Sequence, residues 1–474
     1  MANYRNQNQK QFSKEKKTKI DSPCNLPEDI IKHIFTFLPI KDAIVIASTV
    51  SPMYKSSLRH NRQFLFGKDF HFRYTQRYQA ATIDRLFNSH KGEKIKSFML
   101  HIDPVGIEAL VRKWLQICTK KDLEDLELHF YQPGFTVDFN VFNALSKLKT
   151  LKLVKCAIQC PNVPNGLQFL QTLSLCNLHM TKDMFDVLIK HCKMLKSIDL
   201  INCSTIKKLN LIARENKYFK KLKIVDCRDL KEIEIDSPTL HSIFYHGKFS
   251  IVRIIQGMQL YEAFFYFIPS QNYMKFDHLE ALVKDLSHVS VLTTTPLLIE
   301  SVAARIRNGI YQEAQYWFEN LIELQLFMKG GMSCNPYDIT MFAKNCPSLE
   351  KLFIDLNDYQ FDLAIYWQLY HKHHIDNCNH RFTQLKVVVI RNFEYMSAEL
   401  QLVKQVLQRA TILERLILIP PKIINGRLKF KIEDAPKYEK LFCSWRASTR
   451  VLVELHENYV EEAFLNPTHS KFWL

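Results

Sequence analysis

Leu148-Lys149-Thr150-Leu151-Lys152-Leu153 is one copy of a hexamer, apolar-x-x-apolar-x-apolar, that decides how this 474-residue chain folds. A single copy means little in a chain that is 47% hydrophobic, but further copies recur at intervals of about 22 to 28 residues. The first six full-length copies begin at Ile95, Leu123, Leu148, Leu170, Leu195 and Phe219. In each copy the fourth and sixth residues stand two apart, so on a β-strand both side chains point into the core.

This spacing is typical of leucine-rich repeats, in which each repeat adds one strand to a parallel sheet. Two copies, beginning at Leu230 and Leu240, follow so closely on their predecessors that no helix fits between them. Later copies begin at Leu286, Leu321, Leu349, Leu385 and Leu413, whereas residues 250–285 show no clear register. We therefore predict an α/β fold: a solenoid over residues 95–420 with parallel strands on its concave face, where the non-core positions form a continuous binding surface.

A short helical module precedes the repeats. Residues 26–42 read Leu-Pro-Glu-Asp-Ile-Ile-Lys-His-Ile-Phe-Thr-Phe-Leu-Pro-Ile-Lys-Asp. Apolar residues recur there at helical spacing, and Asp42 is placed to cap a second helix. The members of this stripe are Ile30, Ile31, Ile34, Phe35 and Leu38. We predict a three-helix module over residues 23–70, whose small core leaves apolar surface for a partner.

Composition argues against catalysis. Glycine is scarce, at 11 residues, and the phosphate-binding and dinucleotide-binding glycine motifs are missing, as are H-E-x-x-H, G-x-S-x-G and an EF-hand loop. Carboxylates such as Asp122, Glu124, Asp125 and Glu127 alternate with leucines, which indicates a strand surface rather than an acid/base pair. We predict a non-catalytic protein without a cofactor or a metal.

The charge and the cysteines indicate the setting in which the chain works. The formal net charge is +16, which favours acidic partners or simply reflects a solvated basic surface. The basic tail, residues 1–22, is predicted to be disordered, and its lysines at 14–19 are either a nuclear-import signal or a solubilising run. No stretch is apolar enough for a membrane span or a signal peptide, so we expect free thiols in the cytoplasm or nucleus.

Five of the twelve cysteines have positional explanations. Cys156, Cys203 and Cys227 each stand eight residues after a copy begins, where a small buried side chain suits the turn of the chain. Cys192 and Cys346 each stand three residues before a copy begins. We therefore predict that these thiols have structural roles.

Two clusters invite other interpretations. The first cluster, four histidines and one cysteine within residues 371–380, could hold zinc or form a polar loop. We favour the loop because the spacing of these five residues matches no zinc-binding pattern. The cluster consists of His371, His373, His374, Cys378 and His380. The second, Phe264-Phe265-Tyr266-Phe267, could stack on bases or form a buried strand. We favour the strand and expect no nucleic-acid partner.

The residues from Leu26 to Ala43 resemble the F-box motif of plant F-box/leucine-rich-repeat proteins. A second resemblance begins near residue 380, where Leu385-Lys386-Val387-Val388, Glu399-Leu400 and the closing Arg446-Ala447-Ser448 are similar to the FBD domain of those proteins. The chain from about 380 to 420 is therefore FBD-like, and residues 421–474 would form the C-terminal end of that region.

The resemblance implies a substrate-recognition subunit of an SCF-type ubiquitin ligase. The F-box would bind a Skp-type adaptor and, through it, cullin and RING subunits, while the repeats would bind a target protein. The positions that meet the adaptor in this family correspond here to Leu26, Pro27, Ile30, Ile31, Ile34, Leu38 and Pro39.

One departure from the family pattern keeps two alternatives open. Where the family has Ser-Lys-Arg-Trp, this chain reads Val50-Ser51-Pro52-Met53-Tyr54, so Pro52 disfavours helical geometry at Ser51 and a large buried ring is lost. The first alternative is an interaction scaffold without ligase function, whose F-box no longer binds the adaptor. The second is a co-receptor in which basic residues hold a small polyanion.

Overall fold

The computed structural model describes residues 27–49, 55–159, 165–257, 259–268, 276–302, 305–307, 310–312, 316–329, 334–357, 359, 361, 379–421, 435–455 and 466–472. The predicted tail, the Val50–Tyr54 departure and most of the histidine cluster lie outside these residues. Within the described residues no helix is both long and apolar enough to cross a membrane.

The described residues form helices, strands and short 3-10 turns. The helices are α1 (Glu28–Phe35), α2 (Ile40–Thr49), α3 (Lys55–Leu58), α4 (Lys68–Arg73), α5 (Gln76–Ser89), α6 (Glu108–Thr119), α7 (Lys182–His191), α8 (Phe276–Leu286), α9 (Pro296–Val302), α10 (Pro336–Lys344), α11 (Ser397–Arg409) and α12 (Ala435–Trp445). Short 3-10 turns span Phe139–Ala144, Asn165–Leu167 and Ser470–Phe472.

The first ten strands are β1 (Gln63–Phe66), β2 (Ser97–Ile102), β3 (Asp125–Phe130), β4 (Thr136–Asp138), β5 (Thr150–Val154), β6 (Ala157–Gln159), β7 (Thr172–Cys176), β8 (Ser197–Ile201), β9 (Lys208–Ile212) and β10 (Lys221–Val225). The remainder are β11 (Glu232–Asp236), β12 (Ser242–Lys248), β13 (Ile251–Gln256), β14 (Glu262–Ile268), β15 (Val291–Thr294), β16 (Arg305–Arg307), β17 (Ile310–Gln312), β18 (Glu323–Phe327), β19 (Lys351–Asp355), β20 (Val387–Arg391), β21 (Arg415–Ile419) and β22 (Leu452–Leu455).

Two units divide the chain. The first consists of Met1–His101 and Ala109–Leu123, and the second of Ile102–Glu108 and Glu124–Leu474. In the first unit, the three predicted helices α1 to α3 are followed by β1, which pairs in parallel with β2 so that Phe64 lies opposite Phe98.

The second unit is a ladder of parallel strands. Neighbouring strands pair in the order β3, β5, β7, β8, β10, β12, β14, β15, β18, β19, β20, β21 and β22. The ladder strands follow one another in the order of the sequence, which is the connectivity of a leucine-rich-repeat solenoid. The predicted α/β fold with parallel strands is confirmed.

The hydrophobic triplets form the core, as predicted. Every residue of the thirteen triplets is buried, with Leu128, Leu153, Leu200 and Ile390 at 0% exposure. Side chains on a strand alternate between two faces, so these residues define a core face and leave the intervening positions on an outer face.

A left-handed residue ends several ladder strands and turns the chain inward. Lys155, Asn177, Asn202, Asp226 and Asn392 all have φ between 49° and 57°, a conformation that Asn and Asp tolerate better than most residues. Cys156, Cys203 and Cys227 follow three of these residues and are buried, with the Cys203 thiol 3.4 Å from the carbonyl oxygen of Leu175. The structural role predicted for these cysteines is confirmed.

Two predicted copies are placed differently from our expectation. The Leu230 copy forms β11, which belongs to a separate three-stranded parallel sheet with β9 and β13. The Leu286 copy is out of register, because Leu292, not Val289, lies opposite Leu324 of the next strand. The apolar pattern failed there because Thr294, which is fully buried, takes the position of the sixth residue.

Three parallel strands carry none of the predicted triplets. They are β1 and β22 and, inside the stretch without a clear register, β14. Strand β14 contains Phe264-Phe265-Tyr266-Phe267, whose three phenylalanines are at most 1% exposed. The prediction of a buried strand there is confirmed.

Candidate adaptor-binding and target-binding surfaces

Helix α1 has one face in the core of the N-terminal module. Ile31 and Phe35, four residues apart, pack with Ala43 and Ala47 of α2 into a small buried cluster. Leu38, Ile46 and Leu58 pack against this cluster from its edge. The helix begins directly after Pro27, whose carbonyl oxygen accepts the Ile30 and Ile31 N–H groups at 3.0 and 3.1 Å.

A second face of α1, about 100° around the helix from the core face, is apolar and exposed. Ile30 and Ile34 are 47% and 42% exposed, and Phe37, one turn further, is 61% exposed. The Phe37 ring packs edge-on against His33 at 5.0 Å between centroids. Residues at positions i, i+4 and i+7 of a helical pattern share one face, so these three side chains form a stripe. We call Ile30, Ile34 and Phe37 the head stripe.

The structure separates the seven predicted adaptor residues into groups. Ile30 and Ile34 lie on the head stripe, and Pro27 is exposed just before α1. Leu38 and Pro39 are half-buried, Ile31 is a core residue, and Leu26 lies outside the described residues. Their contact with an adaptor stays a prediction.

Two features of the head differ from the sequence prediction. Phe37 was missed, although its spacing of seven from Ile30 was a usable signal. Asp42 is not a cap: α2 already begins at Ile40, and Asp42 lies inside its first turn. The Ala43 N–H donates to the Pro39 carbonyl oxygen at 3.0 Å, so the chain enters α2 directly from Pro39.

A buried asparagine fixes the end of α1 to the strand that follows. Asn61 is fully buried, and its Nδ2 donates to the carbonyl oxygens of Phe35 and Leu38, both at 2.8 Å. Its Oδ1 accepts the Gln63 N–H at 2.7 Å, at the start of β1. One side chain therefore satisfies three backbone groups of two segments, which holds the head stripe at a defined angle to β1.

The network continues through a buried histidine. His90 Nε2 lies 2.9 Å from the Asn61 carbonyl oxygen, and its Nδ1 lies 2.8 Å from Lys121 Nζ. Burial, reinforced by the Lys121 ammonium, lowers the pKa of His90 from 6.5 to about 4. The ring is therefore neutral at neutral pH, with the proton assigned to Nε2 because Lys121 can only donate.

The outer face of the ladder carries a row of side chains that the strand register aligns. We call it the outer row, and its members are Glu127, Lys152, Ser174, Asp199, Lys223, Phe244, Phe264, Thr293, Gln325, Phe353, Val389, Ile417 and Glu454. The polarity of the row changes at Phe244. The side chains before Phe244 are polar, and most of those after it are apolar.

The polar half of the outer row carries charges of alternating sign. Lys152 Nζ lies 3.0 Å from Glu127 Oε1, and both side chains are partly exposed. Asp199 lies on the same row, where burial raises its carboxyl pKa against the opposing pull of Lys223 and Lys152. Partly exposed charged groups on a rigid sheet can select a partner by charge complementarity.

The apolar half is buried although it lies on the outer face. Phe264 and Phe353 are 1% exposed, and the Phe244 and Phe264 rings stack with centroids 4.0 Å apart. The described segment 466–472 lies against this half, and the His469 ring contacts the Phe264 ring edge-on. The polar half is therefore the part of the row that remains available for a partner.

The histidine cluster and the buried cysteines offer little chemistry within the described residues. Of the histidine cluster only His380 is described, and its carbonyl oxygen accepts from Arg409 at 3.2 Å. Burial raises the pKa values of Cys156 and Cys192 to about 12, so these thiols stay protonated and unreactive. The zinc interpretation stays untested, because the other four members lie outside the described residues.

Comparisons with known proteins match both the N-terminal module and the repeats. The chain matches the family model for the LRR domain of At1g61320/AtMIF1 over residues 86–457, and that for the F-box domain over residues 23–65. It is 30% identical over 405 residues to the putative FBD-associated F-box protein At1g61330 of Arabidopsis thaliana, covering 84% of this chain and 90% of the relative.

Two further relatives come from the same plant. The FBD-associated F-box protein At1g61320 is 29% identical over 407 residues, which cover 84% of this chain and 88% of that protein. F-box/LRR-repeat protein 25 is 25% identical over 193 residues, which cover 40% of this chain and 71% of that protein.

Proposed function

Because this chain belongs to the family of FBD-associated F-box proteins with leucine-rich repeats, we propose that it is the substrate-recognition subunit of an SCF-type ubiquitin ligase. The F-box binds a Skp-type adaptor, which connects the chain to a cullin and a RING subunit. The repeats bind a target protein. The chain itself is non-catalytic and works in the cytoplasm or nucleus.

The exposed head stripe carries this proposal. Ile30 and Ile34 lie on a short helix whose other face is fully used by Ile31 and Phe35, so they have no role in the core of the module. Burying an isoleucine side chain contributes about 1.5 to 3 kcal/mol, so two of them supply a substantial part of an adaptor interface. Aromatic residues such as Phe37 are typical anchors of such interfaces.

The rate enhancement in this mechanism comes from proximity. The repeats hold the target beside the ubiquitin-loaded conjugating enzyme, which converts a bimolecular transfer into one between bound partners. For this purpose the head must be fixed to the first repeat strands, and the network of Asn61, His90 and Lys121 supports that requirement.

The target site is assigned to the polar half of the outer row. Its charged side chains are partly exposed, whereas the apolar half is buried. A partner with complementary alternating charges fits Glu127, Lys152, Asp199 and Lys223, and the net charge of +16 further attracts acidic proteins at long range.

Binding to a purified Skp-type adaptor tests the proposal. We expect the wild-type chain to bind the adaptor, and the Leu26→Ala/Pro27→Ala variant to bind it more weakly with an unchanged melting temperature. An adaptor that fails to bind the folded wild-type chain would favour the interaction scaffold. Proximity labelling in cells with the proteasome blocked would then identify the target.

A further inference from the structure

The segment 466–472 lies on the ladder far from its place in the sequence. The His469 Nδ1 atom lies 2.7 Å from the Thr293 hydroxyl of β15, 176 residues earlier. The Thr468 N–H donates to Glu323 Oε1 of β18 at 2.7 Å, across 145 residues. His469 Nε2 lies 3.6 Å from Glu262 Oε2 of β14. Three neighbouring strands thus contact two consecutive residues.

The groups that receive the segment form a buried polar site. Thr293 and Gln325 are fully buried and Glu323 is 4% exposed, although all three lie on the outer face of the ladder. The Glu323 carboxylate also accepts from Gln325 Nε2 at 2.6 Å and lies 3.9 Å from Lys351 Nζ. Polar groups covered by a packed segment cost free energy unless they are hydrogen-bonded, so a segment covering this site is favoured when it supplies a donor to Glu323 and a partner to the Thr293 hydroxyl.

The geometry defines what kind of occupant fits. A backbone N–H must meet Glu323, and the next residue must place a planar ring between the Thr293 hydroxyl and the Glu262 carboxylate. The ring also lies edge-on to Phe264, with centroids 5.4 Å apart. An imidazole satisfies all three contacts because it has a nitrogen on each side and an aromatic edge. The nearby His469 ring also lowers the pKa of the Glu262 carboxyl, which keeps it charged.

We propose that Glu262, Phe264, Thr293 and Glu323 form a histidine-binding subsite on the outer face of the ladder, which extends the proposed target site beyond the polar half of the outer row. The chain's own Thr468-His469 occupies this subsite until a target segment of the same chemistry displaces it. This inference rests on the proposed target recognition by the repeats. In the free chain, the chain's own segment occupies the subsite. The apparent affinity for the target is therefore the intrinsic affinity multiplied by the fraction of molecules in which the segment has opened. A target binds by presenting an N–H donor followed by an imidazole.

Peptide binding to the full-length chain tests the subsite. The probe is a fluorescent synthetic peptide with the sequence of residues 466–474. The double variant Thr468→Pro/His469→Ala removes both the N–H donor and the imidazole from the internal segment. Fluorescence anisotropy should show the peptide binding to this variant at least ten-fold more tightly than to the wild-type chain. A peptide with the His469→Ala change should not displace the fluorescent peptide from this variant.

Two controls locate the binding and keep the test decisive. Adding Thr293→Val to the double variant should abolish peptide binding, whereas adding Thr136→Val, far along the chain in β4, should not change it. Equal or absent binding of the peptide to the wild-type chain and the folded double variant would overturn the proposal.

If the double variant does not fold, hydrogen exchange of the wild-type chain tests whether the segment 466–472 opens locally. The Thr468 amide should exchange through a local opening, at least ten-fold faster than the amides of β14 and β18. If the Thr468 amide exchanged only through global unfolding, as the amides of β14 and β18 do, the segment could not be displaced. The proposal would then fail. None of these measurements involves the Skp-type adaptor, so a chain that fails to bind the adaptor leaves the peptide result interpretable.

Discussion

Asn61 Nδ2 donates to the carbonyl oxygen of Leu38 at 2.8 Å from a fully buried side chain. This bond, together with the one to the Phe35 carbonyl oxygen, joins the end of α1 to the segment that enters the first parallel strand. The orientation of the head stripe within its unit therefore depends on one amide side chain.

Replacing Asn61 should destabilise the head. Asn61→Ala leaves the Phe35 and Leu38 carbonyl oxygens without their donor, and we expect the free energy of unfolding to fall by about 2 to 3 kcal/mol. Urea unfolding followed by circular dichroism measures the change. Asn88→Ala, which removes only exposed contacts to Asp84 and Lys113, should cost less than about 0.5 kcal/mol. Equal losses in the two variants would contradict the assigned role of Asn61.

The buried His90 should make the stability depend on pH. Its folded pKa, about 4, lies below the value of about 6.5 in the unfolded chain, so the unfolded chain binds the extra proton between these values. The free energy of unfolding should therefore fall as the pH drops from about 6.5 towards 4, and this contribution should be constant above about pH 7. After allowance for solvent screening, the loss is roughly 2 kcal/mol.

A comparison of variants isolates the histidine from other titrating groups. His90→Gln should be less stable than the wild type at pH 7 and should lose stability less steeply between pH 6.5 and 4. His179→Gln, at an exposed histidine, should keep the wild-type slope. Parallel curves for the wild type and His90→Gln would show that His90 is not buried in its neutral form.

The ladder core gives a third prediction from two adjacent residues of β8. Leu200 is fully buried on the core face, whereas Ile201 is half-buried on the outer face. Leu200→Ala should reduce the free energy of unfolding by about 2 to 5 kcal/mol, because it removes buried methyl groups and leaves a cavity. Ile201→Ala should cost about 1 kcal/mol. A reversed order, seen by chemical denaturation, would mean that the strand register is wrong.

The repeat pattern predicted most of the ladder because its physical cause is local. A core position accepts only apolar side chains, so Leu151 and Leu153 reveal both the strand and its inward face in the sequence itself. The register failed at β15 because the buried Thr294 hydroxyl breaks the apolar pattern that defines it elsewhere. The Leu230 triplet was assigned to the wrong sheet, since an apolar alternation specifies a strand and its buried face but not its neighbours.

The candidate surfaces were only partly predictable. The stripe of α1 contained Ile30, Ile31, Ile34, Phe35 and Leu38, but which of them are buried depends on where α2 packs. The contact between His469 and Thr293 could not be predicted, because no periodicity connects residues 176 positions apart. Asn61 carries no pattern either, since its importance comes from two carbonyl oxygens that only the fold brings together.

Adaptor affinity of a head-stripe variant is the most direct test of the central claim that the exposed face of α1 binds a Skp-type adaptor. The variant is Ile30→Asp/Ile34→Asp, and its matched control is Ile212→Asp/Ile255→Asp, which changes two isoleucines of similar exposure, 58% and 54%, on the separate three-stranded sheet. Isothermal titration with the purified adaptor should show an affinity at least about 100-fold lower for the head-stripe variant, because two buried apolar contacts are lost. The control should bind like the wild type. Wild-type affinity in a folded Ile30→Asp/Ile34→Asp chain would contradict the account.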